Sequence, residues 1–167
     1  TVMWNHSIRG QDKSPGETDA YGWDTHNDIF EALKVHLLPR FDQSFSALLE
    51  DLDDRGLLAE TLVICLGEFG RAPLVAVERN FAGNAPGRKH WASVYSLVVA
   101  GAGVTAGSIY GASDKTAAQP VAGRATPADL TATIFWALGI DPAGHYRDLV
   151  DRPWPISTGQ PLLGLWG

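Results

Sequence analysis

The stretch Thr61-Leu-Val-Ile-Cys-Leu66 limits the possible folds more than any other part of the chain. It is apolar without alternation, so both faces of the strand it predicts need cover. Such a run is the mark of a central parallel strand. A second buried strand is expected from Val94 to Ala100. Ahead of the first strand, Phe30, Leu33, Leu37, Phe41, Phe45, Leu48 and Leu52 recur at steps of three and four, one face of a helix. Asp28 and Glu31 have the spacing of a capping box. Pro39 should kink or divide the helix, because it removes a hydrogen bond and crowds the preceding turn. Gly56 followed by Leu57 predicts a Schellman stop. Thr126-Pro-Ala-Asp129 starts a second helix, expected to end at Gly139. Thr1 to Trp4 reads as the end of a strand, and residues 5 to 22 as a surface loop. Helix, buried strand, loop, buried strand, helix is an α/β order. In such sheets ligands bind beyond the carboxyl ends of the strands.

Composition narrows the function classes. The chain has 167 residues, 13 basic against 19 acidic, and a formal net charge of −6. That balance, with no Lys/Arg run, argues against coating a nucleic acid, which needs clustered cations. One cysteine, Cys65, excludes an intrachain disulfide framework. No stretch is apolar enough for a membrane span. The length suits one domain.

Three short segments carry groups able to do chemistry. Gly22-Trp-Asp-Thr-His26 offers Asp24 and His26, two apart on a loop. Both can turn toward one divalent ion; alternatively they are a turn residue and a hydrogen-bonded loop histidine. Glu68 follows the first apolar strand, where a carboxylate is costly to bury unless it is paired or bound to a metal. Arg71 has the guanidinium geometry for an anionic substrate group, or pairs locally with Glu68. His90, in Gly87-Arg-Lys-His-Trp91, is either a third ligand or a core-edge histidine beside Trp91. No activated nucleophile is visible: there is neither a Gly-x-Ser-x-Gly elbow nor a phosphate-binding loop. Trp4, Trp23, Trp91 and Trp154 are either stacking platforms or packing residues.

Taken in order, several motifs resemble the DUF1501 family. They are Gly22-Trp-Asp-Thr-His26, Leu38-Pro-Arg-Phe-Asp42, Asp51-Leu-Asp-Asp-Arg-Gly-Leu-Leu58, Gly67-Glu-Phe-Gly-Arg71 and Gly87-Arg-Lys-His-Trp91. Ala100-Gly-Ala-Gly103, Tyr110-Gly-Ala-Ser-Asp114, Thr126-Pro-Ala-Asp129 and the run from Ala132 to Asp141 continue the series. The resemblance implies a bacterial, sulfatase-like member of the alkaline phosphatase superfamily. The implied fold is a mostly parallel sheet flanked by helices. Residues 1–167 would be the carboxy-terminal part of one such domain. The family's Gly-Gly-x-Ser segment, with the nucleophile region, would lie in a missing amino-terminal half. The implied activity is metal-dependent hydrolysis of a small-molecule or glycan sulfate or phosphate ester, with little turnover by this chain alone. The alternative is a non-catalytic carbohydrate- or partner-binding module on the same scaffold. By motif match, Asp24, His26, Glu68 and His90 would hold a divalent metal (zinc, calcium or magnesium). Glu68 and Arg71 would serve catalysis. Lys89 stands where the family usually has Asp, setting a cation beside a ligand. The full-length protein would be exported or periplasmic.

Overall fold

Proline and glycine positions explain the first helical run. The computed structural model describes residues 22–167 except Ala82; the strand end at Thr1 to Trp4, most of the following loop and Trp4 itself lie outside the described residues. The run opens as α1 (Ile29–Glu31), widens to a π-helical segment over Ala32–Leu37, and continues as α2 (Leu38–Asp54). Pro39 has no N–H to give to the carbonyl four residues back, and its ring crowds that carbonyl. The wider turn makes room: Leu38 N–H reaches back five residues to the Leu33 carbonyl. Thus the helix widens before the proline. At the other end Leu57 N–H bonds the Leu52 carbonyl and Gly56 N–H bonds Asp53, with Gly56 at φ +67°. That is the Schellman stop its sequence predicts. The start differs from expectation. Asp28 makes no side-chain cap and sits at φ +54°. Its carboxylate instead accepts from the backbone N–H groups of Asn84 and Ala85.

The remaining elements are short. In chain order they are β1 (Val63–Cys65), β2 (Gly70–Arg71), β3 (His90–Trp91), β4 (Val98–Ala100), β5 (Ala112–Ser113), β6 (Pro120–Ala122), α3 (Pro127–Ala137), β7 (His145–Arg147) and β8 (Pro153–Pro155). Among the described residues they form four two-stranded antiparallel pairs: β1 with β4, β2 with β3, β5 with β6, and β7 with β8.

The expected mostly parallel sheet flanked by helices is therefore not the fold. Nor is this the alkaline-phosphatase or sulfatase fold. The reason lies between the two apolar runs. A parallel pair needs a crossover connection, usually a helix. Among the described residues no helix lies between β1 and β4, and Val63 pairs with Ala100 as the chain returns antiparallel. The two-sided burial assumed for residues 61–66 is also missing, since Val63, Ile64 and Cys65 are only half-buried and Leu66 is exposed.

Two compact units share the chain. The first holds residues up to Asp51, Glu68–Tyr95 and Thr116–Ala118. Among its described residues the buried side chains are those of Ile29, Ala32, Leu37 and Ala72, together with the polar Thr25, His26 and Asn27. Burial here centres on the 24–28 loop. Beyond the Gly70–Trp91 and Arg71–His90 pairs, the β2–β3 pairing is extended by an Ala72 N–H to Lys89 carbonyl bond and by an Ala76–Gly87 bridge. The chain between Ala76 and Gly87 turns over the 24–28 loop through Asn27 and Asp28.

The second unit holds Leu52–Gly67, Ser96–Lys115 and Gln119–Gly167. Its centre is α3, which buries Leu130, Ala132 and Thr133. Thr126 caps the helix as expected, Asp129 completes a capping box with it, and Gly139 ends the helix at φ +74°. The segment after β8 wraps this helix: Ser157 donates to the Ala128 carbonyl, Leu162 N–H bonds Thr133, and Trp166 meets Trp136 edge-on at 4.8 Å. In the β7–β8 turn, Asp148 has its pKa drawn down to about 2, first by the Arg152 backbone N–H and then by the Trp154 indole.

The Asp129 carboxyl is likewise held below its usual range, first by the Gln160 backbone N–H and then by the Thr126 hydroxyl and N–H. A carboxyl whose folded pKa lies below its unfolded one stabilises the fold above about pH 4 and loses that contribution as pH falls through the folded value. Asp129→Asn cannot titrate. Thermal melts at stepped pH are expected to show wild type more stable at neutral pH, with the gap closing below about pH 4. A gap unchanged down to pH ~2 would contradict this role for the cap.

Candidate metal centre

The site is assembled in the first unit from a loop and a strand pair. Asp24 and His26 come from the loop before α1, and His90 from β3. Pairing His90 with Arg71 fixes the strand next to the guanidinium that braces the loop. Arg71 Nη1 donates to the Thr25 carbonyl and, at 3.4 Å, to that of Arg88. Its Nη2 donates to the Trp23 carbonyl at 3.2 Å. One side chain thereby ties the segment bearing Asp24 and His26 to the segment bearing His90. Burial lowers the Arg71 pKa from its ordinary value, while Asp24 and then Glu78 oppose the shift by attraction. With its donors turned to carbonyls, Arg71 acts on the loop.

Around Asp24 the geometry is tight. His90 Nε2 lies 2.7 Å from Asp24 Oδ1, and His26 Nε2 lies 3.3 Å from the same oxygen. The three ligand atoms are all within 4.8 Å of one another. Ligand atoms at tetrahedral angles around a zinc, each about 2.0–2.1 Å from it, stand roughly 3.3 Å apart. To admit an ion the Asp24–His90 contact must open, and any ligand pair wider than about 3.3 Å must close. Asp24, His26 and His90 form a group that can hold a divalent metal. The His26 side chain is 8% exposed, Asp24 57% and His90 38%, so the group is anchored inside and open outside.

Aromatic rings set the two imidazole planes. Phe81 stacks on His26 at 3.7 Å and 8°, and Phe69 on His90 at 4.1 Å and 30°. Behind His26, Nδ1 meets Glu78 Oε1 at 3.0 Å, and Lys89 Nζ lies 3.7 Å from the other Glu78 oxygen. Buried Asn27 accepts from Glu78 N–H and donates to the Glu78 and Phe81 carbonyls.

The profile of a family described as "Protein of unknown function (DUF1501)" matches residues 11–165. The chain belongs to the DUF1501 family. No curated protein and no solved structure matches it. Membership comes without the sulfatase-like scaffold. In that scaffold the ligands follow the ends of parallel strands, whereas this DUF1501 chain sets them on a loop and a two-residue antiparallel strand. Two functional expectations rested on that scaffold and fall with it: hydrolysis of sulfate or phosphate esters, and a carbohydrate- or partner-binding module. Of Trp4, Trp23, Trp91 and Trp154, the three among the described residues have packing or turn contacts. Trp23 meets Phe41 edge-on, Trp91 donates to the Ala118 carbonyl, and Trp154 donates to Asp148. Among the described residues no helix is long and apolar enough to cross a membrane.

Of the four expected ligands, Asp24, His26 and His90 come together and Glu68 is not in the group. Glu68 sits exposed on a bend between β1 and β2. Glu78, Asn27, Phe69 and Phe81 were not picked out from the DUF1501 sequence. Glu78 lies 52 residues from His26 in a segment without a motif, so nothing local marks it.

Proposed function

We propose that this chain binds one divalent cation of the zinc class through Asp24, His26 and His90, leaving a coordination position toward solvent. The observation that carries this reading is the mutual approach of three ligand atoms to within 4.8 Å. The donor set supports the choice of ion. Calcium and magnesium take oxygen ligands, whereas two imidazoles with one carboxylate suit zinc and its first-row neighbours. Three protein ligands match the count of sites that keep a fourth position for water or a small ligand. A metal held this way polarises what occupies that position and lowers the pKa of a bound water.

Titration of the metal-free protein with zinc, followed by calorimetry and metal analysis after gel filtration, tests the reading. One ion per chain is expected, undisturbed by millimolar magnesium. Failure to retain stoichiometric zinc would overturn it.

A further inference from the structure

We infer that Glu78 is a positioning residue for this centre: its carboxylate fixes the tautomer and the orientation of His26, so that Nε2 faces Asp24 and His90. The inference deepens the metal reading and rests on it for its purpose. Its structural basis is separate.

An ionised carboxylate accepts hydrogen bonds and donates none. With Glu78 Oε1 3.0 Å from His26 Nδ1, that nitrogen carries the proton of the neutral ring. Nε2 is then left with its lone pair, 3.3 Å from Asp24 Oδ1. Asp24 is the only competing carboxylate partner shown for this ring among the described residues, and it competes poorly. It is farther away, and the same oxygen already has His90 Nε2 at 2.7 Å. It is also far more open to water, 57% exposed against 13% for the Glu78 side chain.

Glu78 is itself held in place. Its backbone N–H donates to Asn27 Oδ1 at 2.8 Å and its carbonyl accepts from Asn27 Nδ2 at 2.9 Å. Asn27 directly follows His26, so the ligand and its orienting carboxylate are tied through adjacent residues. Phe81, whose carbonyl also accepts from Asn27, lies flat on the His26 ring. Lys89 faces the second Glu78 oxygen at 3.7 Å and offsets its charge. A carboxylate behind a ligating histidine fixes the tautomer and strengthens the ligand, and its loss typically costs 10- to 100-fold in metal affinity.

Two variants and two readouts test this. Glu78→Gln keeps an acceptor oxygen without the charge, and Glu78→Leu keeps bulk without an acceptor. Long-range proton–nitrogen NMR on the metal-free protein, about two pH units above the ordinary imidazole pKa, reads the His26 tautomer without any metal. Wild type and Glu78→Gln are expected to carry the proton on Nδ1, and Glu78→Leu to shift toward Nε2. Zinc titration is expected to weaken by about 10- to 100-fold in Glu78→Leu, with Glu78→Gln in between. A Glu78→Leu protein that keeps the wild-type tautomer overturns the proposal. If Glu78→Leu does not fold, wild-type zinc affinity in Glu78→Gln does so. Should wild type bind no zinc, the metal reading fails, and the NMR arm still decides whether Glu78 sets the tautomer.

Discussion

His90→Ala is expected to weaken zinc binding by at least a hundredfold. Structural zinc sites bind with about 10–16 kcal/mol shared among four ligands, so one ligand contributes roughly 3 kcal/mol, or about a hundredfold in Kd. A site with three protein ligands has less to spare. His90 is also the only member of the triad on the strand side, so its loss leaves Asp24 and His26 two residues apart on one loop. A readout through stability follows by mass action. Zinc at a hundred times its Kd stabilises a folded protein by about 2.7 kcal/mol. The wild-type melting temperature should rise with zinc and fall back with chelator, while His90→Ala at the same zinc level should respond by no more than about 0.4 kcal/mol. Glu68→Ala in the same titration tests the fourth residue of the expected ligand set. Exposed and outside the triad, it is expected to keep affinity within about twofold, as surface substitutions usually do. A His90→Ala protein with wild-type affinity would remove the triad as the metal site.

What could be read from the sequence follows the range of the forces involved. Helix ends depend on a few neighbouring residues, so the stops at Gly56 and Gly139 and the Thr126–Asp129 cap were legible. Strand pairing depends on residues far apart. The run Thr61–Leu66 says that the strand is apolar but not which partner covers it, and β4 returns antiparallel. The expectation that Glu68 needs a partner followed from that one. A carboxylate after a fully buried strand needs a partner, but this strand is half-buried and Glu68 faces solvent. Asp28 shows a local rule losing to tertiary structure, because its carboxylate serves Asn84 and Ala85 in place of its own helix. The Asp24–His26 spacing was readable because both residues sit on one short loop. Glu78 was not, because only the return of the chain over that loop brings it to His26.

That return depends on a glycine, and Gly87→Ala is expected to be among the most damaging single-methyl changes in the first unit. A Cβ at Gly87 would overlap the His26 carbonyl oxygen, and would stand 2.5 Å from its carbon and 3.0 Å from Asn27 Cα. All three atoms are backbone, so no side chain can rotate away. The strand must separate from the loop, breaking the paired Gly87–Ala76 hydrogen bonds or the Asp28–Ala85 bond. Overpacking of this kind costs about 1–3 kcal/mol or more, which for a chain of this size lowers the melting temperature by roughly 2–12 °C. The same displacement carries His90, three residues on, away from Asp24 and His26, so zinc affinity should fall by tenfold or more even where the variant stays folded. Gly107→Ala is the matched control. It meets nothing within 4 Å, but Gly107 sits at φ +72°, so its strain is conformational and lies in the other unit. It should cost about 1 kcal/mol and leave zinc affinity unchanged. Equal zinc affinity in Gly87→Ala and wild type, measured on folded protein, would show that close backbone contact between the 24–28 loop and Gly87 is not what holds the ligands together.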